Sequence, residues 1–264
     1  MVNIKVIQPM NRVDFHSHIL PGIDDGSKDE AQSYAMLLEG KKHGVKQIVV
    51  TPHFYPDEPS VKEFVERRQK SRDKLELYIR NKEQQDLPHI IHGAEVLLGV
   101  DTADLEDLRL VGIQGTDYIL IELPYAPWKE WVYESVEKIK VTRGLIPVIA
   151  HVERYVPFQK DLESIHRMMN IKGVLGQVNT RSILDRKTRG LSLQLIGNSM
   201  VHVIGSDAHR VRHLEGLDDA YNYIVKKYGI EKLEGLHEQG RMILRNERII
   251  KQECRPLRRI LGRF

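Results

Sequence analysis

Seven short runs of mostly apolar, often β-branched residues recur along the chain, and a helical pattern follows each of them. Continuous apolar runs are typical of strands buried on both faces, as in a parallel sheet that helices cover. Such strands alternating with helices predict an α/β protein, built as a (β/α) barrel or as an open doubly wound sheet. The predicted strands are RVDFHSHIL (12–20), KQIVVTPH (46–53), HIIHGAEV (89–96), DYILIELP (117–124), LIPVIAHVE (145–153), GVLGQVNT (173–180) and VHVIGSDAH (201–209).

Helix start and stop signals occupy the segments between these runs. Residues 27–30 (SKDE) have the spacing of a capping box and predict a helix to about His43, where Gly44 can end it. Residues 60–63 (SVKE) repeat the box. Since we find no Gly/Ser linker, low-complexity segment or solenoid repeat, we expect a single domain over residues 1–264. Further helical patterns cover 129–143, 159–170, 182–198, 215–228 and 231–245.

Composition excludes several classes of protein. The formal net charge of +3 over 264 residues is too small to favour a nucleic-acid partner. No apolar run approaches the roughly 20 residues that span a bilayer, and the first residues lack the apolar core of a signal peptide. The only cysteine, Cys254, cannot form an intramolecular disulfide, which fits a reducing compartment. We therefore expect a cytoplasmic protein.

Metal-binding residue types lie where the predicted strands end. Six of the seven runs finish in His, Asp or Glu. In both candidate architectures the carboxyl ends of the strands meet at one mouth, so these side chains should converge. With Asp25 from the turn after the first strand, the set is His16, His18, Asp25, His53, Glu95, Glu122, His151, Asp207 and His209; Asn179 ends the remaining run.

A single histidine at a strand end is more often a hydrogen-bonded structural residue than a ligand. Convergence changes this balance, because several charged groups at one mouth repel each other and lose hydration unless a cation lies among them. Five histidines and four carboxylates exceed the needs of one ion, which indicates two or three metals and a bridging carboxylate. Imidazole and carboxylate without thiolate suit Mn, Fe, Zn or Co. The other histidines are read as surface or core residues: 43, 89, 92, 166, 202, 213 and 237.

The motifs DFHSHILPGIDDG, IVVTPH, GAEV, YILIELP, PVIAH with VER, and VIGSDAH occur in this order and spacing. Together they resemble the PHP (polymerase and histidinol phosphatase) metallohydrolases, and within them the bacterial tyrosine-protein phosphatases encoded with capsule and exopolysaccharide synthesis. The resemblance runs from about residue 13 to about 248 and leaves residues 1–11 as an N-terminal extension. It implies a distorted seven-stranded, TIM-like (β/α) barrel with three divalent ions, usually Mn²⁺, although iron and zinc occur.

The resemblance also implies a role for each predicted ligand. His16, His18, Glu95 and Asp207 correspond to the ligands of a first ion. Glu95 would bridge to a second ion, held also by Glu122 and His151. Asp25, His53 and His209 correspond to the ligands of a third ion. Arg154 is similar to the arginine that grips the substrate phosphate.

This constellation suits phosphate-ester hydrolysis. Three divalent ions outweigh four carboxylates and leave about +2 in the pocket, which favours a phosphate dianion. Divalent ions bring the pKa of a bound water toward neutrality, and a tyrosyl leaving group with a pKa of about 10 needs little protonation. The segment after Glu122 carries Tyr125 and Trp128, either of which could form a wall against an aromatic substrate ring. For Trp128 a packing role is an equal alternative.

Three functions stay open at this stage. The first is a metal-dependent phosphotyrosine phosphatase that acts on a bacterial tyrosine autokinase and so tunes polysaccharide export. The second is a small-molecule phosphatase, such as a histidinol phosphatase. The third is a module that binds phosphotyrosine or metal without turnover. A cysteine phosphatase is excluded, because Cys254 lies in a basic tail without a glycine-rich loop.

The tail, residues 250–264, concentrates arginines beside Leu and Ile. Such a segment can make a weak, salt-sensitive contact with an anionic membrane surface. That contact would place the protein at the inner face of the membrane, beside a membrane-bound kinase. The alternative is a solvated, disordered end.

Overall fold

The computed structural model describes residues 11–57, 59–83 and 86–258. Strand segments and α-helices alternate along these residues. The strands are β1 (Arg12–Ser17), β2 (Val45–Val50), β3 (His53–Phe54), β4 (His89–His92), β5 (Glu95–Leu97), β6 (Tyr118–Glu122), β7 (Ile146–Ile149), β8 (Leu175–Asn179) and β9 (Val203–Gly205). The helices are α1 (Glu30–Lys42), α2 (Val61–Arg80), α3 (Glu130–Arg143), α4 (Glu163–Asn170), α5 (Thr180–Leu184), α6 (Arg189–Gly197), α7 (Leu217–Tyr228) and α8 (Ile230–Leu244).

All strand pairs between these segments are parallel. One sheet has the order β1-β2-β4 and the other the order β3-β5-β6-β7-β8-β9. Beyond the named strands, the His18 amide donates to the Ala208 carbonyl at 2.9 Å and the Asp207 amide donates to the His16 carbonyl at 2.8 Å. These two bonds join the end of β1 to the end of β9. The molecule is thus an α/β protein whose parallel sheet forms a half-barrel.

Two of the seven predicted strands are interrupted, so the described residues contain nine strand segments. The second run breaks between β2 and β3, and the third breaks between β4 and β5. Pro52 has no amide hydrogen to donate at the first break. The Gly93 amide donates to the Val50 carbonyl at 2.9 Å and the Glu95 amide donates to the Pro52 carbonyl at 3.1 Å, so the two interrupted chains stay side by side.

The inner face of the strands carries a separate apolar cluster beneath the ligand-bearing ends. Leu120 and Val148 belong to it, and Ile243 of α8 packs into it. Because alternate residues of a strand share a face, Leu120 and Glu122 point to the same side. The larger apolar cluster lies outside the strands, among them and the helices. The inner cluster therefore supports the floor of the site.

The helix signals are confirmed at one capping box and corrected at the other. Ser60 caps α2, since its hydroxyl accepts from the Glu63 amide at 3.3 Å and Glu63 accepts from the Ser60 amide at 3.0 Å. The box predicted at Ser27 is wrong: Asp29 caps α1 and accepts from the Gln32 amide at 2.8 Å. Asp29 caps the helix in place of Ser27, because a carboxylate is a strong N-cap and Asp29 lies next to the first helical residue. The helix predicted over 182–198 is two helices, α5 and α6.

The C-terminal segment of residues 251–258 packs along α4 and α6. Cys254 and Leu257 are buried. The Cys254 amide donates to Asn170 Oδ1 at 3.0 Å, and the Arg255 amide donates to the Asn198 carbonyl at 3.0 Å. This part of the predicted tail is an ordered strap, because Cys254 and Leu257 are buried and its amides bond to residues at the ends of α4 and α6. Residues 1–10 and 259–264, the rest of the predicted extension and tail, lie outside the described residues. Among the described helices, none combines the length and apolar character that crossing a membrane requires.

Candidate metal centre

The nine predicted ligands lie together at the carboxyl ends of the strands. His16, His18 and Asp207 form one group whose potential ligand atoms lie within 4.8 Å of one another. The Nε2 atoms of His16 and His18 are 3.1 Å apart, and Glu95 Oε2 lies 3.2 Å from the first and 3.4 Å from the second. The structure thus brings together the four residues that the resemblance assigns to a first ion.

The second predicted group surrounds the other oxygen of Glu95. His151 Nε2 lies 2.6 Å from Glu95 Oε1 and 3.6 Å from Glu122 Oε1. His53 Nδ1 lies 3.1 Å from Glu95 Oε2, and its ring groups with the two glutamates within 4.8 Å. His53 therefore stands between the second and the third predicted groups.

The third group lies nearest to solvent. Asp25 Oδ1 is 3.3 Å from His209 Nε2 and 3.5 Å from His53 Nε2. Asp25 is 72% exposed, whereas His16 and His18 are fully buried. The cluster therefore grades from a closed interior to an open mouth, which leaves this edge accessible to a substrate.

The charges of the cluster set the pKa values of its carboxyl groups in opposite directions. Burial would raise the pKa of Glu95, but nearby His16 and hydrogen bonds from the histidines outweigh it and hold that pKa well below its ordinary value. Burial and the negative charge of Glu95 raise the pKa of Glu122. Glu95 is thus held ionised between rings, as a bridging ligand requires.

The donor set fits divalent metal ions of the Mn, Fe or Zn type. Every group carries imidazole nitrogen with carboxylate oxygen, and cysteine is absent from all three. The buried Nδ1 atoms of His53 and His151 make no hydrogen bond among the described residues. Buried polar atoms without partners are rare in proteins, and in a cluster of these residue types they suit a metal ion.

Two of the predicted ligands occupy left-handed backbone conformations. His151 has φ +30° and Asp207 has φ +52°. Few residues other than glycine adopt positive φ, and such conformations cluster at functional sites. Each of these candidate ligands lies two residues beyond the end of a strand, so this conformation turns its side chain where the strand ends.

Glycine permits close approach of the backbone behind two other candidate ligands. A Cβ on Gly205 would lie 2.5 Å from His16 Cβ and 2.8 Å from Gln177 Nε2. A Cβ on Gly26 would lie 2.2 Å from the His18 carbonyl oxygen. Both glycines are therefore required by space around the cluster rather than by φ.

A second layer of hydrogen bonds, which sequence reasoning missed, orients the ligands. His18 Nδ1 lies 2.7 Å from Asp24 Oδ2, which also accepts from the His53 amide at 3.2 Å. His16 Nδ1 lies 3.2 Å from Gln177 Oε1. A ring that donates from Nδ1 keeps Nε2 free for a metal. The only available signal was the first aspartate of the DDG sequence.

Asn179 and Asp14 complete this layer. Asn179 Nδ2 donates to Asp207 Oδ2 at 2.9 Å and Asn179 Oδ1 accepts from Gln177 Nε2 at 2.8 Å. Asp14 accepts from the Ser206 amide at 2.7 Å and from the Ser206 hydroxyl at 2.6 Å. These bonds fix the turn that presents Asp207.

Arg154 and Tyr125 border the cluster. The Arg154 guanidinium donates to the Asp207 carboxylate. Burial alone would lower the pKa of Arg154, but Asp207 and the Tyr125 hydroxyl raise it, so Arg154 stays cationic. The Tyr125 ring is 40% exposed and stacks near His151, with centroids 6.1 Å apart and planes at 18°. Both residues thus lie beside the cluster, and their substrate contacts stay predictions.

Trp128 occupies a different environment. Its indole N–H donates to the Pro124 carbonyl at 3.1 Å, and its ring contacts Tyr133 and Tyr155. Neither Trp128 nor Tyr125 is among the described residues that line the cavity at the mouth. These contacts support the packing alternative, and its predicted substrate role stays a prediction.

The cavity at the mouth has a volume of about 490 Å³ and an unpredicted basic rim. Arg181, Arg210 and Arg212 line it beside Arg154 and Asp207. Arg210 and Arg212 lie within three residues after the SDAH motif. This position was the sequence signal for the basic rim, and it was not used. The cavity therefore combines cationic side chains with the candidate metal groups, an arrangement that attracts a phosphorylated substrate.

Comparisons with known proteins agree with this arrangement. The tyrosine-protein phosphatase YwqE of Bacillus subtilis strain 168 is 30% identical over 258 residues, which cover 94% of this chain and 97% of that protein. The putative tyrosine-protein phosphatase CapC of Staphylococcus aureus is 30% identical over 246 residues, with 91% of this chain and 94% of that protein covered.

A solved structure gives a similar result. It is described among the "crystal structures of YwqE from Bacillus subtilis and CpsB from Streptococcus pneumoniae, unique metal-dependent tyrosine phosphatases". It matches with a TM-score of 0.79 and 27% identity over 94% of this chain and 100% of that chain. The model of the family described as "Capsular polysaccharide synthesis, CpsB/CapC" matches residues 12–245, which include every ligand candidate. By this match the chain belongs to the CpsB/CapC family of capsular polysaccharide synthesis.

Proposed function

We propose that this protein is a metal-dependent protein-tyrosine phosphatase. Its substrate is the phosphotyrosine of a bacterial tyrosine autokinase, and its activity regulates capsular and exopolysaccharide synthesis. The observation that carries the proposal is the convergence of His, Asp and Glu side chains from separate strand ends into three adjoining groups. The names of the relatives YwqE and CapC support the same substrate class.

The proposal assigns three divalent ions to the cluster, Mn²⁺ first, with iron or zinc as alternatives. His16, His18, Glu95 and Asp207 would hold the first ion; Glu95, Glu122 and His151 the second; Asp25, His53 and His209 the third. When bound, such ions supply a water of lowered pKa as nucleophile and positive charge for the phosphate oxygens. The second layer through Asp24 and Gln177 supports this assignment, because it leaves ligand nitrogens facing the cluster.

The chain's own residues would bind and orient the phosphotyrosine. Arg154 would grip a non-bridging phosphate oxygen, where charge builds up in the transition state. Tyr125 would border the substrate's aromatic ring, since it is the exposed aromatic residue beside His151. A phenolate leaving group needs little help from an acid.

Cysteine chemistry has no support in this chain. Cys254 is buried in the strap, and its thiol donates to the Met169 carbonyl at 3.2 Å. Burial raises the pKa of this thiol, which opposes formation of a thiolate.

We also propose the scaffold and the location that this function implies. The proposed scaffold is the distorted, seven-stranded barrel of the PHP fold within one domain, in which β2 with β3 and β4 with β5 would each count as a single strand. A kinase substrate at the membrane implies a cytoplasmic protein at its inner face. Two basic residues of the tail, Lys251 and Arg255, donate to backbone carbonyls within the protein. A weak membrane contact would therefore depend on the remaining basic residues of the tail.

A comparison of two substrates tests the proposal. The purified protein is assayed with Mn²⁺ and after chelation, on a phosphotyrosine peptide and on histidinol phosphate. We expect hydrolysis of the peptide with metal, its loss after chelation, and recovery when Mn²⁺ is restored. Cys254→Ser is the control, and it should retain the activity.

Other outcomes would contradict the proposal. Faster turnover of histidinol phosphate would identify a small-molecule phosphatase. Binding of the peptide without turnover in any metal would identify a regulatory module. Activity that survives chelation but not Cys254→Ser would exclude the metal mechanism.

A further inference from the structure

A second cavity, with a volume of about 480 Å³, lies among α2, the end of β4 and the loop that precedes β6. It shares no described lining residue with the cavity at the metal centre. Asp117 lines it just before β6 begins, whereas Glu122 ends that strand. At the rise of an extended chain these two positions are about 16 Å apart, so the cavities are separate. We call this the basic cavity.

Arg68 provides a buried positive charge in its wall. The residue is 8% exposed, and its guanidinium donates to the Gly93 carbonyl at 2.6 Å and to the Leu110 carbonyl at 2.8 Å. No carboxylate forms an ion pair with it in the part of the chain that the structure describes. Burial lowers the pKa of Arg68 to about 10, which still leaves it cationic at neutral pH. A buried cation is costly unless an anion or hydrogen-bond acceptors compensate it.

Arg72 and His92 extend the same wall. Arg72, one helical turn beyond Arg68, pairs with Glu76 through Nε at 2.5 Å and keeps its terminal N–H groups for other partners. His92 is 5% exposed, and neither of its ring nitrogens has a hydrogen-bond partner among the described residues. Burial, with Arg68 and Arg72 nearby, lowers the pKa of His92 to about 3. The neutral ring can therefore serve as a donor or an acceptor, but it adds no charge.

The one carboxylate in the described lining is already neutralised. Asp117 Oδ1 lies 2.6 Å from Arg109 NH1, and Asp117 Oδ2 lies 3.5 Å from Arg248 NH2. The amide side chains of Gln69 and Gln114 also line the cavity. The wall thus combines Arg68, which no carboxylate pairs among the described residues, and the terminal N–H groups of Arg72 with neutral hydrogen-bonding groups.

We propose that the basic cavity is a second binding site, for a small phosphate-bearing anion, separate from the metal centre. Its volume is within the range of roughly 300 to 1,000 Å³ common for small-molecule sites. Arginine is the side chain best suited to phosphate, because its planar group offers paired N–H donors. The neutral amides would contact the uncharged part of a ligand the size of a phosphorylated sugar.

Tungstate is a suitable probe, because it has the shape of phosphate and a strong anomalous signal. Crystals of the metal-loaded full-length protein are soaked in tungstate, and calorimetry measures its stoichiometry in solution. We expect two sites, one at the metal centre and one beside Arg68 and Arg72. A single site at the metal centre, in crystal and in solution, would overturn the proposal.

A matched pair of variants tests the residues. Arg72→Gln removes a cavity arginine without disturbing the carbonyl bonds of Arg68, and it should weaken the second site by about 10- to 100-fold. Arg80→Gln removes an arginine that pairs with the same Glu76 but does not line the cavity, and it should retain both sites. Equal binding by the two variants would overturn the proposal.

Competition identifies the source of the phosphate group. Inorganic phosphate and glucose 6-phosphate are each titrated against tungstate at the second site. Stronger displacement by the sugar phosphate supports a metabolite site, and equal displacement supports a site for free phosphate. Failure of both to displace tungstate would overturn the proposal.

Discussion

Asp24 shows how a residue beside the ligands can control them. It accepts from the His53 amide and lies 2.7 Å from His18 Nδ1, while its other oxygen accepts from the Gly26 amide at 3.0 Å. Hydrogen bonds from His18 and its charge lower the pKa of Asp24 despite burial, so the side chain is ionised. A carboxylate in this position fixes the tautomer of the ring and raises its basicity as a ligand.

Asp24→Asn should therefore weaken metal binding by about 10- to 100-fold, as for other partners of metal-ligating histidines. The amide keeps the shape of the side chain but removes the charge. Titration of Mn²⁺ against a competing chelator measures the affinity, with circular dichroism as a check on folding. Asp57→Asn makes the same change at an exposed loop position and should have no effect. Equal affinities in the two variants would show that Asp24 does not support His18.

Arg154→Ala should act on turnover and leave the metals in place. Removal of a charged donor to the phosphate is expected to cost about 2 to 4 kcal/mol of transition-state stabilisation, measured as kcat/KM on a phosphotyrosine peptide. Metal content should stay constant, because Arg154 contacts Asp207 but is not itself a ligand candidate. Arg167→Ala, which removes an exposed arginine paired with Glu130, is the control. Near-normal efficiency in Arg154→Ala would assign the phosphate contact to another arginine of the rim.

Among the strands, β9 places Gly205 directly behind the candidate ligand His16 on β1. Gly205→Ala would force a methyl group against His16 and Gln177, both of which are buried. We expect reduced metal content and a lower melting temperature, since neither neighbour can move without disturbing the cluster.

Gly235→Ala is the matched control for this change. Gly235 lies within α8, and an added Cβ would meet nothing within 4 Å. Alanine is favoured over glycine inside a helix, so this variant should gain about 0.5 to 1 kcal/mol of stability with unchanged metal content. A gain in both variants would mean that the strand has room to adjust.

The sequence predicted some elements well and others poorly, for physical reasons. The helix at α3 follows its predicted bounds closely, because its periodic pattern ends at Gly144, which has φ +64°. The cap at Asp29 was missed, because two polar residues with similar spacing competed for one helix start. The break at Pro52 was hidden inside an apolar run that reads as one strand.

Some site residues were predicted from the sequence and others were missed, again for physical reasons. His16, His53 and the other candidate ligands were found because metal-binding residue types are unusual at the ends of apolar strands. Gln177 and Arg210 were missed, because amide and arginine side chains are common in strands and loops, and only the folded chain brings them to the cluster.

For the whole molecule, the strap matters to stability. Its buried residues Cys254 and Leu257 lie within charged sequence, so pattern alone suggested a solvated end. Lys251 Nζ donates to the Ile171 carbonyl at 3.2 Å, and Gln194 and Arg258 exchange hydrogen bonds at 3.1 Å. The strap thus closes over α4 and α6 after the last helix.

Leu257→Ala should lower the free energy of unfolding by roughly 2 kcal/mol, the lower end for a buried leucine, because this site lies near the surface. Ile250→Ala is the control: Ile250 is 92% exposed, and its loss should change stability by less than about 0.5 kcal/mol. Urea titration measures both variants. Identical midpoints would mean that the strap does not stabilise the fold. A truncation that tests membrane binding should therefore retain residues 251–258.

The left-handed backbone at His151 and Asp207 bears on how this family can diverge. At both positions the chain adopts a conformation that glycine or asparagine adopts with less strain, and both side chains are candidate metal ligands. Once a descendant no longer needs the reaction, selection for the side chain ends but the strain remains. Glycine or asparagine at these two positions, in an otherwise intact relative, would then indicate that catalysis has been lost. This sign could be found in the relative's sequence before any assay is made.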